Sequence, residues 1–163
     1  MSKLKGNDKR PGDELVQVVK RVKERNDWVK SEIVNKNQAV LNYEHNSGPL
    51  GDCSDHCNQY LEVTMLGKRI RVSSNDDVVL TEYGFCCVVN IVQIRSHVYL
   101  VVRKYRDVTS AFTYPCDSLK VGVAKCRALA EKLYTAHIRK AVKCLKIVAH
   151  DYVYVAKLLH DNF

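Results

Sequence analysis

Apolar and polar positions follow two different periods along this chain, and the change of period divides it. From Asp13 onward Leu15, Val18, Val19, Val22 and Val29, with Ile33 after them, recur at the three-four spacing of one helix face, while Lys20, Lys23, Glu24 and Lys30 take the others. The pattern predicts an amphipathic helix over residues 13–41, with Asp13 as its N-cap. Leu15, Val22 and Val29 also fit a heptad seam, through which the helix would pair with a copy of itself as a homodimer or dock on a protein partner. Residues 1–12, polar and charged with one Leu, predict a disordered basic tail. Residues 42–58 carry Asn-Ser-Gly-Pro-Leu-Gly and then Asp-Cys-Ser-Asp-His-Cys, a turn-rich run that predicts a linker loop.

A period of two then takes over, and residues 59–160 read as a β-rich globular domain. Leu61, Val63 and Met65 alternate with Glu62 and Thr64, Leu66-Gly67 turns the chain, and Ile70 and Val72 alternate with Arg69 and Arg71, which predicts a hairpin. Asn75-Asp76-Asp77 makes the next turn, followed by a short strand at residues 78–80. Residues 85–94 form a longer strand, buried on both faces or bent by a bulge, and Arg95-Ser96-His97 reverses it into a strand at 98–105. Cys126, Leu129, Ala130 and Leu133 sit at helical spacing, so residues 125–134 read as one inserted helix. Strands at 138–148 and 152–158 complete the domain. The fold class is mainly β with some α: a small β-barrel or sandwich of about seven short strands, which removes exposed edges by closing the sheet.

Composition narrows the partners. The 26 Lys+Arg against 18 Asp+Glu leave a formal charge of +8, which favours a polyanion such as DNA or RNA. The basic residues cluster as Lys20, Arg21, Lys23 and Arg25 on the helix, Lys68, Arg69 and Arg71 on the first hairpin, then Arg103, Lys104 and Arg106, and finally Arg139, Lys140, Lys143 and Lys146. The first two clusters are the expected nucleic-acid contacts. No apolar stretch approaches the roughly 20 residues that span a bilayer, so no membrane association is expected. With no signal-peptide pattern and an odd number of cysteines, 7, an intracellular, reducing location is expected.

The C-terminal half carries Tyr105, Phe112, Tyr114-Pro115-Cys116-Asp117-Ser118, Lys143-Cys144, residues 152–155 and Leu158-Leu159-His160. That order resembles the C-terminal module of uncharacterised transposable-element-derived animal proteins, over Tyr83 to His160. The family pattern has a Ser where this chain has Leu119, Lys-Cys-Val where it has Lys-Cys-Leu, and Leu-Pro where it has Val148-Ala149. The resemblance implies a genomic origin and a nuclear setting; it carries no catalytic residue across.

Three other groups carry potential chemistry. Cys53, His56 and Cys57 have zinc's preferred ligand types on one loop, but a second pair at short spacing is missing, and the adjacent Cys86-Cys87 would point to opposite faces of a strand. Cys116 with His137, His150 or His160 would make a thiol nucleophile and base, against which Tyr114-Pro115-Cys116-Asp117-Ser118 reads more simply as a corner whose Asp117 or Ser118 satisfies backbone amides. Tyr99, Tyr105 and Tyr114 are the aromatic candidates for lining a peptide or ligand cleft. Phosphate loops, His-Glu-x-x-His helices and nucleophile elbows are absent. The expectation is a non-catalytic interaction module, without cofactor, that binds nucleic acid or chromatin. The alternatives are a peptide- or protein-binding adaptor and a thiol- or zinc-dependent hydrolase.

Overall fold

The structure, a computed structural model, describes residues 38–53 and 56–158. The expected helix at 13–41 falls almost entirely outside the described residues, as do the basic tail and His160. The packed unit begins at Ala39, ahead of the expected start at Gln59.

Among the described residues nine antiparallel strands form one sheet: β1 Val40–His45, β2 Asn58–Met65, β3 Lys68–Arg71, β4 Val78–Thr81, β5 Gly84–Ile94, β6 His97–Ser110, β7 Val123–His137, β8 Val142–Val148 and β9 Val153–Lys157. The protein is therefore mainly β, as the period of two requires. Pairings run from β4 to β5, β6, β7, β9, β8 and back to β4, a ring that is partial because the last seam holds only Val79↔Lys143 and Leu80↔Val142. β2 extends the sheet from the far half of β5, and β1 and β3 flank β2.

Each side of the sheet carries a core. Val78, Tyr105, Ala124, Cys126, Cys144 and Val155, with Phe85, Cys87 and Val108, draw on all six ring strands. Val63, Ile70, Val79, Cys86, Val88, Leu100 and Val102 form the second core with β2 and β3. Cys86 and Cys87 thus do face opposite ways. Burial pushes the Cys87 thiol up to about 12, with the Asp77 carboxylate adding to it, and burial alone pushes Cys126 up to about 11.

The first hairpin is as expected: Leu66 and Gly67 both take positive φ, 54° and 72°, the geometry a two-residue turn between twisted strands demands. The bulge in β5 is present too, at the register shift between Val88 and Asn90.

Two expectations need correction. Residues 125–134 are strand, and among the described residues the only helical turns are the 3-10 segments Ser118–Val121 and Ile138–Lys140. In β7, Ala124 and Cys126 point inward, and a second alternating run covers Leu133, Thr135 and His137. Between them the register steps from Tyr105↔Leu129 to Arg103↔Leu133, four residues of β7 against two of β6, with Ala128 at φ 51°. The inward Cys126 and the later run from Leu133 stand an odd seven residues apart across this irregular stretch, which imitates the three-four spacing of a helix, and pairing with β6 and β9 overrides the helix propensity of Ala and Lys.

The linker is the second correction. Residues 40–45 are β1, and the run that follows lies against the sheet. Asn90, fully buried, donates from Nδ2 to the Pro49 carbonyl at 3.0 Å and to Gln59 Oε1 at 2.8 Å, and accepts from its neighbour's Ile91 amide at 2.9 Å. The Gly48 amide donates to the same Gln59 Oε1 at 2.9 Å. A Cβ at Gly51 would lie 3.5 Å from Val101 Cγ1, which shows how closely this loop covers β6 and why Val101 and Leu100 are both fully buried although they point to opposite faces.

The Tyr114-Pro115-Cys116-Asp117-Ser118 segment is the expected corner between β6 and β7. Asp117 Oδ1 accepts from Ser110 Oγ at 2.7 Å and from the Leu119 amide at 2.9 Å, and the buried Ser118 Oγ accepts from the Ala111 amide at 2.7 Å. The Ser110 hydroxyl, then the Leu119 amide, hold the Asp117 carboxyl below the usual carboxylate range. A depressed pKa contributes stability above the unfolded-state value, about 3.9, that is lost as pH falls through the lower folded-state value. The Asp117 carboxyl resonance should therefore titrate with a midpoint below that of an unstructured Asp, together with the Leu119 amide shift; a midpoint at or above the unstructured value would contradict this corner.

Candidate nucleic-acid interface

The sheet register assembles a site that the linear sequence scatters. Val92↔Tyr99 and Tyr99↔His137 make one cross-strand row over β5, β6 and β7, and His97 lies two residues before Tyr99 on the same face. The Tyr99 and His137 rings meet edge to face at 5.2 Å, as do His97 and His137 at 5.9 Å, and the His97 and Tyr99 rings lie tilted to each other at 6.5 Å. His97 is exposed, and Tyr99 and His137 are half-buried.

Cations flank these residues along the chain. Arg95, at φ 56°, forms the β5–β6 turn with Ser96, and the 3-10 turn after β7 supplies Arg139 and Lys140. All three are exposed. Among the described residues no carboxylate pairs with Arg95 or Arg139, and Lys140 meets Glu82 only at 3.9 Å across an exposed pair. The Arg139 amide donates to His137 Nδ1 at 3.2 Å. Burial, then the nearby His97, Arg139 and Lys140, hold the His137 imidazole below the usual histidine range, so at neutral pH it is uncharged and carries its proton on Nε2.

The other candidates are dispersed. Lys68, Arg69 and Arg71 lie on β3, which pairs with the half of β2 remote from β5. Arg69 is held by Glu62, with Nε at 2.9 Å and a terminal nitrogen at 2.7 Å, and Arg71 approaches the same carboxylate at 3.9 Å and covers the Tyr43 ring. That carboxylate offsets much of the hairpin's charge. Lys20, Arg21, Lys23 and Arg25 lie outside the described residues. Lys143 and Lys146 turn toward the loop after β3, where they pair with Asp76 at 2.7 Å and Asp77 at 2.8 Å. The last basic cluster thus splits, and only Arg139 and Lys140 join the site.

Tyr99, Tyr105 and Tyr114 do not share a cleft. Tyr105 is a core residue, 4% exposed, whose ring borders a separate cleft of about 200 Å³ with Arg127 and Tyr152; Tyr114 stands 88% exposed beyond the other end of β6 from Tyr99. Cys53 Sγ lies 3.9 Å from Thr135 Oγ1, His56 is exposed, and no group of three His, Cys, Asp or Glu converges to hold a metal ion among the described residues. Cys116 is exposed, and no hydrogen bond joins it to His137 or His150.

His97, His137 and Arg95 were not legible as a site. Their signal is the Tyr99↔His137 pairing, which exists only once residues 123–137 are a strand.

The chain matches the family described as Domain of unknown function (DUF8592) over residues 44–157, which run from within β1 to the last residue of β9. No curated protein and no solved structure matches it.

Proposed function

We propose that this chain, which belongs to the DUF8592 family, is a non-catalytic interaction module that binds nucleic acid through the end of its sheet built by Arg95, His97, Tyr99, His137, Arg139 and Lys140. The observation that carries the reading is the cluster of three π-systems at one end of the sheet, with Arg95 and Arg139, which no carboxylate pairs among the described residues, exposed in the adjoining turns. Arginine and lysine bind phosphates with release of condensed counterions, so their affinity falls as salt rises, and aromatic faces accept bases. A transposable-element origin and a nuclear, chromatin-associated setting go with this reading, as does a net charge of +8. The non-catalytic reading is supported by the Cys87 and Cys126 thiols, held protonated by burial, and by the exposed Cys116, to which no imidazole is bonded among the described residues. Among the described residues no helix is long and apolar enough to cross a membrane.

The test is fluorescence anisotropy of a labelled mixed-sequence oligonucleotide at two salt concentrations. Losing three phosphate contacts in the Arg95→Gln/Arg139→Gln/Lys140→Gln chain should weaken binding at least about tenfold at low salt and flatten the log–log salt slope by about 2–3. Lys68→Gln/Arg71→Gln should leave the slope nearly unchanged. The reverse ranking would move the contact to β3, and no binding by the parent chain would end the nucleic-acid reading. A second reading, a protein-binding adaptor, rests on the β6–β7 corner, which presents Phe112, Tyr114, Leu119 and Val121 at 43%, 88%, 41% and 43% exposure.

A further inference from the structure

Resting on that reading, we infer that the ligand is a single-stranded nucleic acid, with an unpaired base stacked on the His97–Tyr99–His137 rings and its flanking phosphates on Arg95 and on Arg139 with Lys140. The ring geometry carries the argument. Interplanar angles of 54°, 62° and 80° set the three rings as a corner rather than a closed stack, and His97 is exposed at its outer side. A flat apolar face in that corner would meet one ring face to face and another edge on, both favoured contacts. Base faces are offered only by unstacked nucleotides, because a duplex covers them with neighbouring pairs and shows the protein its edges and backbone.

The cations complete the match. Arg95 sits in the turn that follows β5 and Arg139 in the 3-10 turn that follows β7, so both leave the same end of a three-strand row whose central strand carries Tyr99. Neighbouring strands are about 4.8 Å apart, so the two outer strands from which these turns emerge are roughly 10 Å apart, on the scale of the phosphates either side of one nucleotide. His137, with Nδ1 occupied by the Arg139 amide, presents Nε2–H as a donor for a base edge or phosphate oxygen. An acidic peptide would satisfy the arginines but leave the ring corner unused.

Three probes test this on the full chain at one salt concentration: a 15-mer single strand, the same sequence as duplex, and inorganic polyphosphate. The single strand should bind at least tenfold tighter than the other two. His97→Ala, at an exposed position, should cut single-strand affinity fivefold or more by removing a stacking face, with little effect on polyphosphate, while His97→Phe, which keeps a ring and removes the titratable nitrogen, should retain most of it. Equal affinity for all three probes, or equal losses in both variants, would overturn the stacking inference and leave the polyanion reading standing. Failure of all three to bind would overturn both.

Discussion

Replacing Asp77 by alanine is expected to destabilise the fold by about 3–5 kcal/mol, the cost of leaving one partner of a buried ion pair uncompensated. Asp77 is 3% exposed, and its Oδ1 accepts from Lys146 Nζ at 2.8 Å while Oδ2 accepts from Cys87 Sγ at 3.5 Å. Its carbonyl takes the Val88 amide at 2.7 Å, and the adjoining Asp76 holds Lys143 at 2.7 Å. These contacts cross from the turn before β4 to β8, where backbone pairing consists of two residue pairs, so the side chains close the weakest seam of the ring. Truncating Asp77 leaves the Lys146 ammonium, with its side chain 15% exposed, without its carboxylate. The companion Asp77→Leu/Lys146→Met should recover much of the loss, because two well-packed apolar groups carry no desolvated charge. Urea denaturation measures both. A loss below about 1 kcal/mol for Asp77→Ala, the worth of a surface pair, would contradict this seam.

The second large effect is at Asn90. Its fully buried amide joins Pro49 to Gln59, whose Oε1 also takes the Gly48 amide, and to its own strand. Asn90→Leu leaves the Pro49 carbonyl and one bond of Gln59 unsatisfied, at about 1–3 kcal/mol each, so a total near 2–4 kcal/mol is expected. Gly48→Ala attacks the same contact from the other side: a Cβ there would stand 2.4 Å from Asn90 Nδ2 and 2.6 Å from Cγ, and the buried amide has no room to turn away. Because both changes break one node, the double variant should lose clearly less than the sum. Additive losses would mean that the loop is held elsewhere.

These sites also show what the sequence makes legible. Asn90 is the polar break in the apolar run of residues 85–92, and both the expected bulge and a polar node are there. The Leu66-Gly67 turn and the Asp117 cap of the corner were readable because their chemistry is local: a positive φ, and an acceptor two residues from its amide. What escaped was non-local. β1 hides in a stretch whose turn residues dominate, and only its ladder with β2 makes it a strand. Lys143 and Lys146 look like solvated charge until Asp76 and Asp77, some seventy residues earlier, are brought across the seam. The bulge in β7 disguised a strand as a helix, and with that strand went the pairing of Tyr99 with His137.

The most direct measurement of the central claim is an amide chemical-shift titration of the full, isotope-labelled chain with a short single-stranded oligonucleotide. The account predicts that the largest shifts fall at residues 95–99 and 136–140 and fade as salt is raised. Shifts confined to residues 68–71 or 112–121, with 95–99 and 136–140 unmoved, would contradict it.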